Sequence, residues 1–286
     1  MTADLSEEAR AVLSPLLAEA LFEIIPLPGA VAEAEVLPRG TKVSVTSSPK
    51  AGPEETVAAA EELAERGLRV TPHLAARRFR DRTHLRAVLD RLVGAGFEEI
   101  FVVGGDGEPV GRFDDALSLL REIADAGASF PRVGVACYPE GHPDIPDEVL
   151  LAALREKQAL ATHMTSQMCF DPEAIARWLK TVRGEGVDLP LWVGVPGVVD
   201  TGRLIKVAAR IGVGGSLRFL RKHRRVVAGL VRGGGYDPTG LVAGLVPLVA
   251  DPTAAVEGFH LFTFNQVAAT ERWRRTLLGP PPPAGG

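Results

Sequence analysis

The chain has 286 residues, of which 46% are hydrophobic and 24% charged, and its formal net charge is −4. This composition is typical of a soluble globular protein, and so acidic a balance argues against nucleic acid or an anionic membrane as a partner. The first ten residues are too acidic for a signal peptide and no apolar stretch reaches about 18 residues, so we expect a cytoplasmic protein without a membrane span.

Eight short apolar runs are the predicted strands. They are rich in Val, Ile and Phe, and most are bounded by Gly or Pro, as buried strands are. In chain order the runs cover residues 21–27, 42–48, 68–76, 99–105, 132–139, 162–170, 190–197 and 258–265.

Longer amphipathic segments between these runs are the predicted helices. Several begin with proline or acidic residues and end at a glycine, which are the usual start and stop signals. They cover residues 53–67, 81–96, 114–127, 147–160, 171–186, 216–234 and 237–250. The Pro- and Gly-rich residues 279–286 are predicted to be a disordered tail.

Eight strand–helix units in about 250 residues match a (β/α)8 barrel in number and length. A doubly wound sheet usually has fewer strands in a domain, and no linker divides the sequence. We therefore predict an α/β protein with a single TIM-barrel domain over residues 1–278. Active sites of such barrels lie at the C-terminal ends of the strands, so the polar residues there are the candidate functional residues.

The first run contains Glu23 between Phe22 and Ile24. A carboxylate in an apolar strand is costly unless it is paired or protonated, and burial raises its pKa. Such a group suits general acid catalysis. The alternative is a glutamate that faces solvent at the edge of a strand.

The second and third runs end in hydroxyls and a histidine. Thr46 and the two serines that follow it could bind a polar ligand or cap the next helix. His73 could be a functional residue at the rim of the barrel or a hydrogen-bonded core histidine.

The fourth run ends in the sequence GGDGEP, residues 104–109. Its glycines do not have the G-x-G-x-x-G spacing and no helix begins at once, which argues against a dinucleotide fingerprint. In a barrel, Gly105 would allow close approach and Asp106 would lie on the pocket floor. The alternative is a turn-forming Asp-Gly pair.

The fifth and sixth runs carry further polar groups. Tyr138, Glu140 and His142 lie within five residues and are held by two prolines, and this pattern indicates a binding loop. Gln167 lies among apolar neighbours and must find hydrogen-bond partners, which a polar heterocycle would supply.

The remaining polar features have less specific interpretations. The eighth run carries His260, Thr263 and Asn265, which could be structural. The basic residues 218–225 are expected to form a solvated helix face, or an anion site together with the glycines of residues 212–216. Cys137 and Cys169 are expected to be buried thiols, and the sequence has no zinc-like Cys/His spacing, so no metal site is predicted.

Taken in order, these motifs resemble those of the methylenetetrahydrofolate reductase family, and the resemblance runs from Leu21 to about Leu278. The most specific match is ACYPEGHP, which is close to the family's A-x-Y-P-E-x-H-P. The segments FEIIPLPG, TPHLAAR, VGGDGEP, TSQMCFD and HLFTFNQ resemble F-E-[FV]-x-P-P, H-L-T, R-G-D-x-P, T-Q-x-x-F-D and H-F-Y-T-L-N-R.

The resemblance implies reduction of 5,10-methylenetetrahydrofolate to 5-methyltetrahydrofolate with NADH or NADPH, usually with FAD as a hydride relay. It implies that Glu23 is the acid that opens the folate ring, assisted by Asp106. Asp106, Gln167 and Phe170 would bind the pterin. The implied cofactor contacts are Thr46, His73, Gly105, Tyr138, His142 and Lys157.

Several flavin contacts of the family are missing. Gly104 replaces an arginine, Leu150 and Ala153 replace an acid and an asparagine, and only Lys157 of that helix matches. FAD is possible from the family, but these departures resemble the flavin-independent reductases of some actinobacteria, in which NADH would deliver hydride directly to the folate.

Two alternatives to the reductase remain at this point. The first is a folate-dependent methyltransferase or demethylase that uses the same barrel. The second is a non-catalytic folate-binding subunit. NADH against NADPH, the preferred length of the folate glutamate tail and the oligomeric state are left open, with Arg77 and Arg78 as candidate contacts for that tail.

Overall fold

The computed structural model describes residues 5–47, 52–142, 144–199 and 236–279. Over these ranges eight parallel strands pair in sequence order and the last pairs with the first, which closes the barrel. The strands are β1 (Leu21–Ile24), β2 (Lys42–Val45), β3 (Arg69–Ala75), β4 (Glu99–Val103), β5 (Arg132–Cys137), β6 (His163–Ser166), β7 (Leu191–Pro196) and β8 (Val256–Phe262). The predicted (β/α)8 fold is therefore confirmed.

The described helices surround the barrel, and none of them is long and apolar enough to span a bilayer. They are α1 (Glu7–Ala18), α2 (Ala30–Glu33), α3 (Pro53–Glu65), α4 (Arg82–Gly94), α5 (Ala116–Asp125), α6 (Asp147–Lys157), α7 (Pro172–Gly184), α8 (Thr239–Gly244), α9 (Val246–Ala250) and α10 (Val267–Leu278).

Two differences from the sequence prediction concern these helices. The segment 237–250 forms two helices, because Pro247 has no N–H to continue the hydrogen-bond ladder. α1 and α10 were not among the predicted helices. The predicted helix 216–234, the glycines 212–216, the basic run 218–225 and residues 280–286 of the predicted tail lie outside the described residues.

Strand alternation divides the barrel residues into two sets. One set, for example Phe22, Ile24, Val43 and Val45, packs outward in the hydrophobic core between strands and helices. The alternate set faces the barrel axis and is largely polar or aromatic. The fold therefore keeps its aliphatic core outside the barrel and leaves the interior for polar groups.

Glycines make room for rings inside the barrel. A Cβ on Gly134 would lie 2.6 Å from the ring of Phe101, and a Cβ on Gly258 would lie 2.6 Å from the ring of Trp192. Neither position can accept a larger residue unless a ring moves.

The N-terminal ends of the strands are sealed by a floor cluster. Arg132 donates to Glu99 at 3.1 Å and to Glu257 at 3.0 Å, and Trp192 Nε1 donates to Glu257 at 2.9 Å. His163 Nε2 lies 3.4 Å from Glu99. The floor cluster comprises these residues and Lys42, whose ammonium lies 5.0 Å from the Trp192 ring centroid.

The first and last described helices hold each other. Arg274 on α10 donates to the backbone carbonyls of Leu17 and Ala18 at 3.1 and 2.9 Å, and to the carboxylate of Glu271 at 2.7 Å. These bonds tie the C-terminal end of α1 to α10.

Candidate active site

Glu23 lies near the C-terminal end of β1 with its side chain 12% exposed. Burial raises its pKa from 4.5 to about 8. Among the described residues it has no lysine or arginine partner, so no fixed cation offsets the cost of its charged form. The carboxyl is therefore protonated at neutral pH.

Three further polar side chains meet Glu23 at the mouth of the barrel. His260 Nε2 on β8 lies 3.0 Å from Ser44 Oγ on β2 and 3.7 Å from Glu23 Oε2. The ring centroids of His260 and His73 are 6.3 Å apart. Glu23, Ser44, His73 and His260 form the mouth cluster, in which single titratable atoms of Glu23 and the two histidines lie within 4.8 Å of one another.

Both histidines of the mouth cluster are neutral. Burial lowers the pKa of His73 and of His260 to about 3. Phe101 and Phe262 cover them, with ring centroids 4.7 Å from His73 and His260 respectively. The mouth of the barrel thus places an uncharged acid beside two uncharged bases.

The end of β1 is fixed by residues after β8. The Asn265 side chain accepts from Ile25 N and donates to Ile25 O, both at 2.9 Å, and the Thr263 hydroxyl donates to Glu23 O. These contacts agree with a structural interpretation of Thr263 and Asn265, because they set the backbone position of the acid.

A cavity of about 900 Å³ opens beside the mouth cluster, over the ends of β3, β4 and β5. Five of the predicted site residues line it, namely Gly105, Asp106, Tyr138, His142 and Lys157. Its described lining does not include the other five, which are Thr46, His73, Glu23, Gln167 and Phe170. The predicted residues thus separate into a large cavity and the neighbouring barrel mouth.

Two arginines shape the loop that carries Asp106. Arg77 donates to the carbonyls of Gly107 and Asp114, and Arg78 donates to the carbonyls of Asp106 and Glu108. Both guanidinium groups line the cavity, while Asp106 itself is exposed there. The arginines therefore support the loop and add positive charge to the cavity.

The backbone conformation at position 105 and its close contact with β3 require a glycine there. Its φ is +88°, and a Cβ would lie 2.9 Å from the Cβ of Ala75. The predicted close approach is thus made to β3, and it brings the loop down onto the barrel wall.

Lys157, Tyr138 and His142 form the opposite side of the cavity. Lys157 is 8% exposed with Nζ 3.3 Å from the Ala136 carbonyl, and burial lowers its pKa. Tyr138 and His142 form an edge-to-face ring pair at 5.2 Å, and burial raises the pKa of Tyr138 to about 12. Lys157, Tyr138 and His142 therefore face the cavity together here.

The loops that follow β5 and β6 are joined. Glu140 Oε1 accepts from the backbone N–H groups of Phe170 and Asp171 at 2.8 and 2.9 Å, and Gln167 Nε2 donates to the Gly141 carbonyl at 2.9 Å. Glu140 was recognised only as part of a binding loop, and its link to Phe170 needed the fold. These bonds fix Gln167 and Phe170 relative to Tyr138 and His142.

Thr46 and Ser47 do not cap the next helix. The N-cap residue of α3 is Gly52, which makes no side-chain cap hydrogen bond. Ser47 lines the cavity and Thr46 extends from β2 beside it, donating its backbone N–H to Ile24 O at 3.0 Å. The ligand-binding alternative for Thr46 stays a prediction.

A model of the methylenetetrahydrofolate reductase family matches residues 31–213. This is more than half of the chain. The chain belongs to the methylenetetrahydrofolate reductase family. The matched range includes Asp106 and Gln167 and begins after Glu23. Members of this family generally use a flavin or a nicotinamide nucleotide.

One individual member of this family matches the chain over a shorter stretch than the family model does. Methylenetetrahydrofolate reductase 2 of Saccharomyces cerevisiae is 29% identical over 123 residues, which are 39% of this chain and 20% of the yeast protein. The match thus spans about a fifth of the length of that family member.

Solved structures resemble the chain weakly. A Burkholderia cenocepacia J2315 protein, provisionally described as a lyase/mutase, has a TM-score of 0.46 at 18% identity and covers 79% of this chain and 90% of its own. Tryptophan synthase from M. tuberculosis has a TM-score of 0.42 at 16% identity, with 88% of this chain and 100% of its own covered. At these TM-scores the likenesses carry no information about the reaction of this reductase family member.

Proposed function

We propose that the chain reduces 5,10-methylenetetrahydrofolate to 5-methyltetrahydrofolate with NADH or NADPH. The observation that carries this proposal is the enclosed, uncharged carboxyl of Glu23 at the mouth of a barrel of this family. Opening the five-membered ring of the folate needs a proton donor at neutral pH, and a carboxyl with a pKa of about 8 still holds its proton there.

Glu23 acts on the ring nitrogen that leaves. As the bond from the methylene carbon to this nitrogen breaks, the nitrogen keeps the electron pair and takes the proton of Glu23. The methylene carbon becomes an iminium, which accepts a hydride and becomes the methyl group. Glu23 recovers a proton from solvent, so one proton and one hydride are consumed in each turnover.

Asp106 and Gln167 hold the pterin through its donor and acceptor edge. Asp106 offers carboxylate oxygens, whereas Gln167 already donates to the Gly141 carbonyl and offers its amide oxygen. Phe170 adds an apolar ring beside Gln167. This arrangement would orient the folate so that the leaving nitrogen meets Glu23.

The 900 Å³ cavity has room for part of a dinucleotide, and its lining carries three basic residues among five acidic ones. Arg77, Arg78 and Lys157 line it and could meet phosphate groups, and Tyr138 and His142 could line the nicotinamide pocket. The predicted contacts Thr46, His73 and Gly105 lie in or beside this space. When bound, the nicotinamide supplies the hydride.

We further propose that no flavin takes part. Gly104, Leu150 and Ala153 all line the cavity, and they stand where flavin-dependent relatives carry an arginine, an acid and an asparagine. Leu150 and Ala153 cannot make polar contacts to a flavin through their side chains, and FAD would have to be held by the remaining residues.

An anaerobic assay without added flavin tests the reaction. We expect oxidation of NADH or NADPH that depends on methylenetetrahydrofolate, with one 5-methyltetrahydrofolate formed for each nucleotide. Nucleotide labelled with deuterium at the transferred position should pass its label fully to the new methyl group. A methyl transfer reaction without nucleotide oxidation would instead favour the folate-dependent methyltransferase or demethylase.

A spectrum of the purified protein tests the flavin separately. A stoichiometric flavin whose removal abolishes turnover, or loss of the deuterium label to solvent, would overturn direct transfer while leaving the reductase proposal intact.

A further inference from the structure

His260 occupies a position that the reaction described above does not use. It lies on β8, is 2% exposed, and reaches Ser44 Oγ and Glu23 Oε2 with the same ring atom, Nε2. β8 pairs directly with β1, with Leu21 opposite His260 and Glu23 opposite Phe262. The closure of the barrel therefore places this imidazole beside the acid.

The surroundings of His260 assign its tautomer. A neutral imidazole carries one N–H, and Nδ1 is buried with no hydrogen-bond partner among the described residues. A buried N–H without an acceptor costs more than a bare lone pair. The proton therefore belongs on Nε2, where Ser44 Oγ can accept it.

The distance from Nε2 to the acid suggests a change of partner. At 3.7 Å from Glu23 Oε2 the N–H is too far for a hydrogen bond, and a protonated carboxyl attracts it weakly. Once Glu23 has given up its proton, a carboxylate faces the same N–H. A preorganised donor directed at developing charge in a dry site stabilises that charge strongly.

Resting on the proposed function, we propose that His260 is a positioning residue whose Nε2–H turns from Ser44 to the Glu23 carboxylate as Glu23 donates its proton. The donor lowers the cost of leaving a bare carboxylate inside the barrel. Ser44 serves as the resting acceptor and competes with Glu23 for this one hydrogen bond.

The other groups around His260 do not supply this donor. His73 on β3 also carries one N–H, but its ring nitrogens lie farther from the Glu23 carboxyl than the 3.7 Å of His260 Nε2. Phe262 on β8 covers one side of the His260 ring, and His163 lies deeper in the barrel. Among the residues that the structure describes, His260 Nε2 is thus the imidazole nitrogen nearest the Glu23 carboxyl.

The test uses variants with opposite expected signs. His260→Leu removes the donor, so we expect a roughly tenfold to hundredfold lower kcat with little change in KM, and a Glu23 titration that moves to higher pH. Ser44→Ala removes the competing acceptor, so the Glu23 titration should move to lower pH. His260→Gln places an amide N–H near the former Nε2. Compared with His260→Leu, it should therefore regain part of the kcat and move the Glu23 titration part of the way back to that of the wild type.

Two readouts are recorded for every variant. The pH dependence of kcat reports the acid in turnover, and infrared difference spectroscopy of the carboxyl band, assigned with Glu23→Gln, reports its protonation without turnover. The matched control is His163→Leu, which removes another buried histidine of the same barrel at the floor. It should lower stability without moving the Glu23 titration.

Equal Glu23 titrations in the wild type, His260→Leu and Ser44→Ala would overturn the inference, as would an equal shift in His163→Leu. If His260→Leu does not fold, Ser44→Ala and His260→Gln still decide the question. If the wild type does not reduce methylenetetrahydrofolate, the proposed function fails, whereas the infrared titrations still show whether His260 and Glu23 exchange this hydrogen bond.

Discussion

At the floor of the barrel Glu257 accepts hydrogen bonds from Arg132 and Trp192, whereas at the mouth Glu23 faces the neutral imidazole of His260 at 3.7 Å. Burial acts to raise the pKa of both carboxyls. At Glu257 the donors outweigh burial and its pKa lies below the usual value, while at Glu23 burial acts alone and the pKa rises to about 8. The same side chain is thus a fixed charge at one end and a proton donor at the other, and the difference lies in its neighbours and in its exposure, which is 36% for Glu257 and 12% for Glu23.

Replacing each of these two acids by glutamine is the strongest test of the comparison between the floor and the mouth. Glu23→Gln keeps the shape of the side chain but has no proton to donate, so we expect folate-dependent turnover to fall by about 1,000-fold. Glu257→Gln should keep turnover within about twofold, the ordinary effect of a change remote from the chemistry, and should lower the melting temperature. Steady-state kinetics and thermal unfolding of both variants measure this; equal loss of turnover in the two would contradict the division of roles.

The buried histidines should make the fold sensitive to acid. The pKa values of His73 and His260 are lowered from 6.5 to about 3, so the unfolded chain binds protons that the folded chain refuses. Their contribution is present above pH 6.5 and is lost as the pH falls towards 3. Each tenfold difference in proton affinity is worth about 1.4 kcal/mol, so the loss should be several kcal/mol.

Urea unfolding at a series of pH values measures this loss. A variant with both His73→Gln and His260→Gln should lose less stability between pH 6.5 and acid than the wild type. An unchanged slope in that variant would show that other groups carry the acid sensitivity.

The opposite sign is expected of Glu23 on the alkaline side. Its pKa is raised from 4.5 to about 8, so the folded chain keeps a proton that the unfolded chain releases. This contribution is complete below pH 4.5 and is lost as the pH rises through about 8. The free energy of unfolding should fall over that window in the wild type and fall less in Glu23→Gln, as urea titrations can show.

Removing the central cation of the floor should lower stability and leave turnover unchanged. Arg132→Met leaves Glu99 and Glu257 without their shared partner, and because these side chains are 22% and 36% exposed we expect a loss of about 2 kcal/mol in the free energy of unfolding. Adding Glu99→Gln to Arg132→Met should restore part of this loss, and denaturant unfolding of both variants would test it.

The smallest effect is expected at the edge of the floor cluster. Lys42 pairs with the exposed Glu19 at 3.0 Å and stands over Trp192 at 5.0 Å. Lys42→Met should therefore cost about 0.5 to 1 kcal/mol. A loss as large as that of Arg132→Met would mean that the floor is held by Lys42 as much as by its arginine.

The barrel could be predicted from the sequence because its outward residues form eight apolar runs, six of which are followed by a predicted helix. The runs were longer than the strands, since residues such as Thr46 and Gly105 leave the ladder to form the rim. α1 could have been found from Ser6, which caps it and precedes two glutamates. The N-cap residue of α10, Gln266, makes no side-chain cap hydrogen bond, so this helix lacked a start signal in the sequence.

The site could be predicted only in part. Glu23 was recognisable because a carboxylate within an apolar strand requires a reason. Its partners Ser44 and His260 come from the neighbouring strands on either side, and their alignment with Glu23 depends on strand register and on closure of the barrel. The composition and residue spacing of a single strand reveal neither its register with its neighbours nor the closure of the barrel. The cation–carboxylate pairs of the floor escaped prediction for the same reason.

The contact of α10 with α1 bears on how the chain is made. Arg274 bonds the carbonyls of Leu17 and Ala18, and β8 pairs with β1, so segments synthesised late complete a structure begun by segments synthesised early. Until they leave the ribosome, β1 and β7 each present an unpaired edge, a state prone to intermolecular pairing. The nascent protein should therefore depend on protection, by a chaperone or by the ribosome itself, until about the residue at which Arg274 emerges.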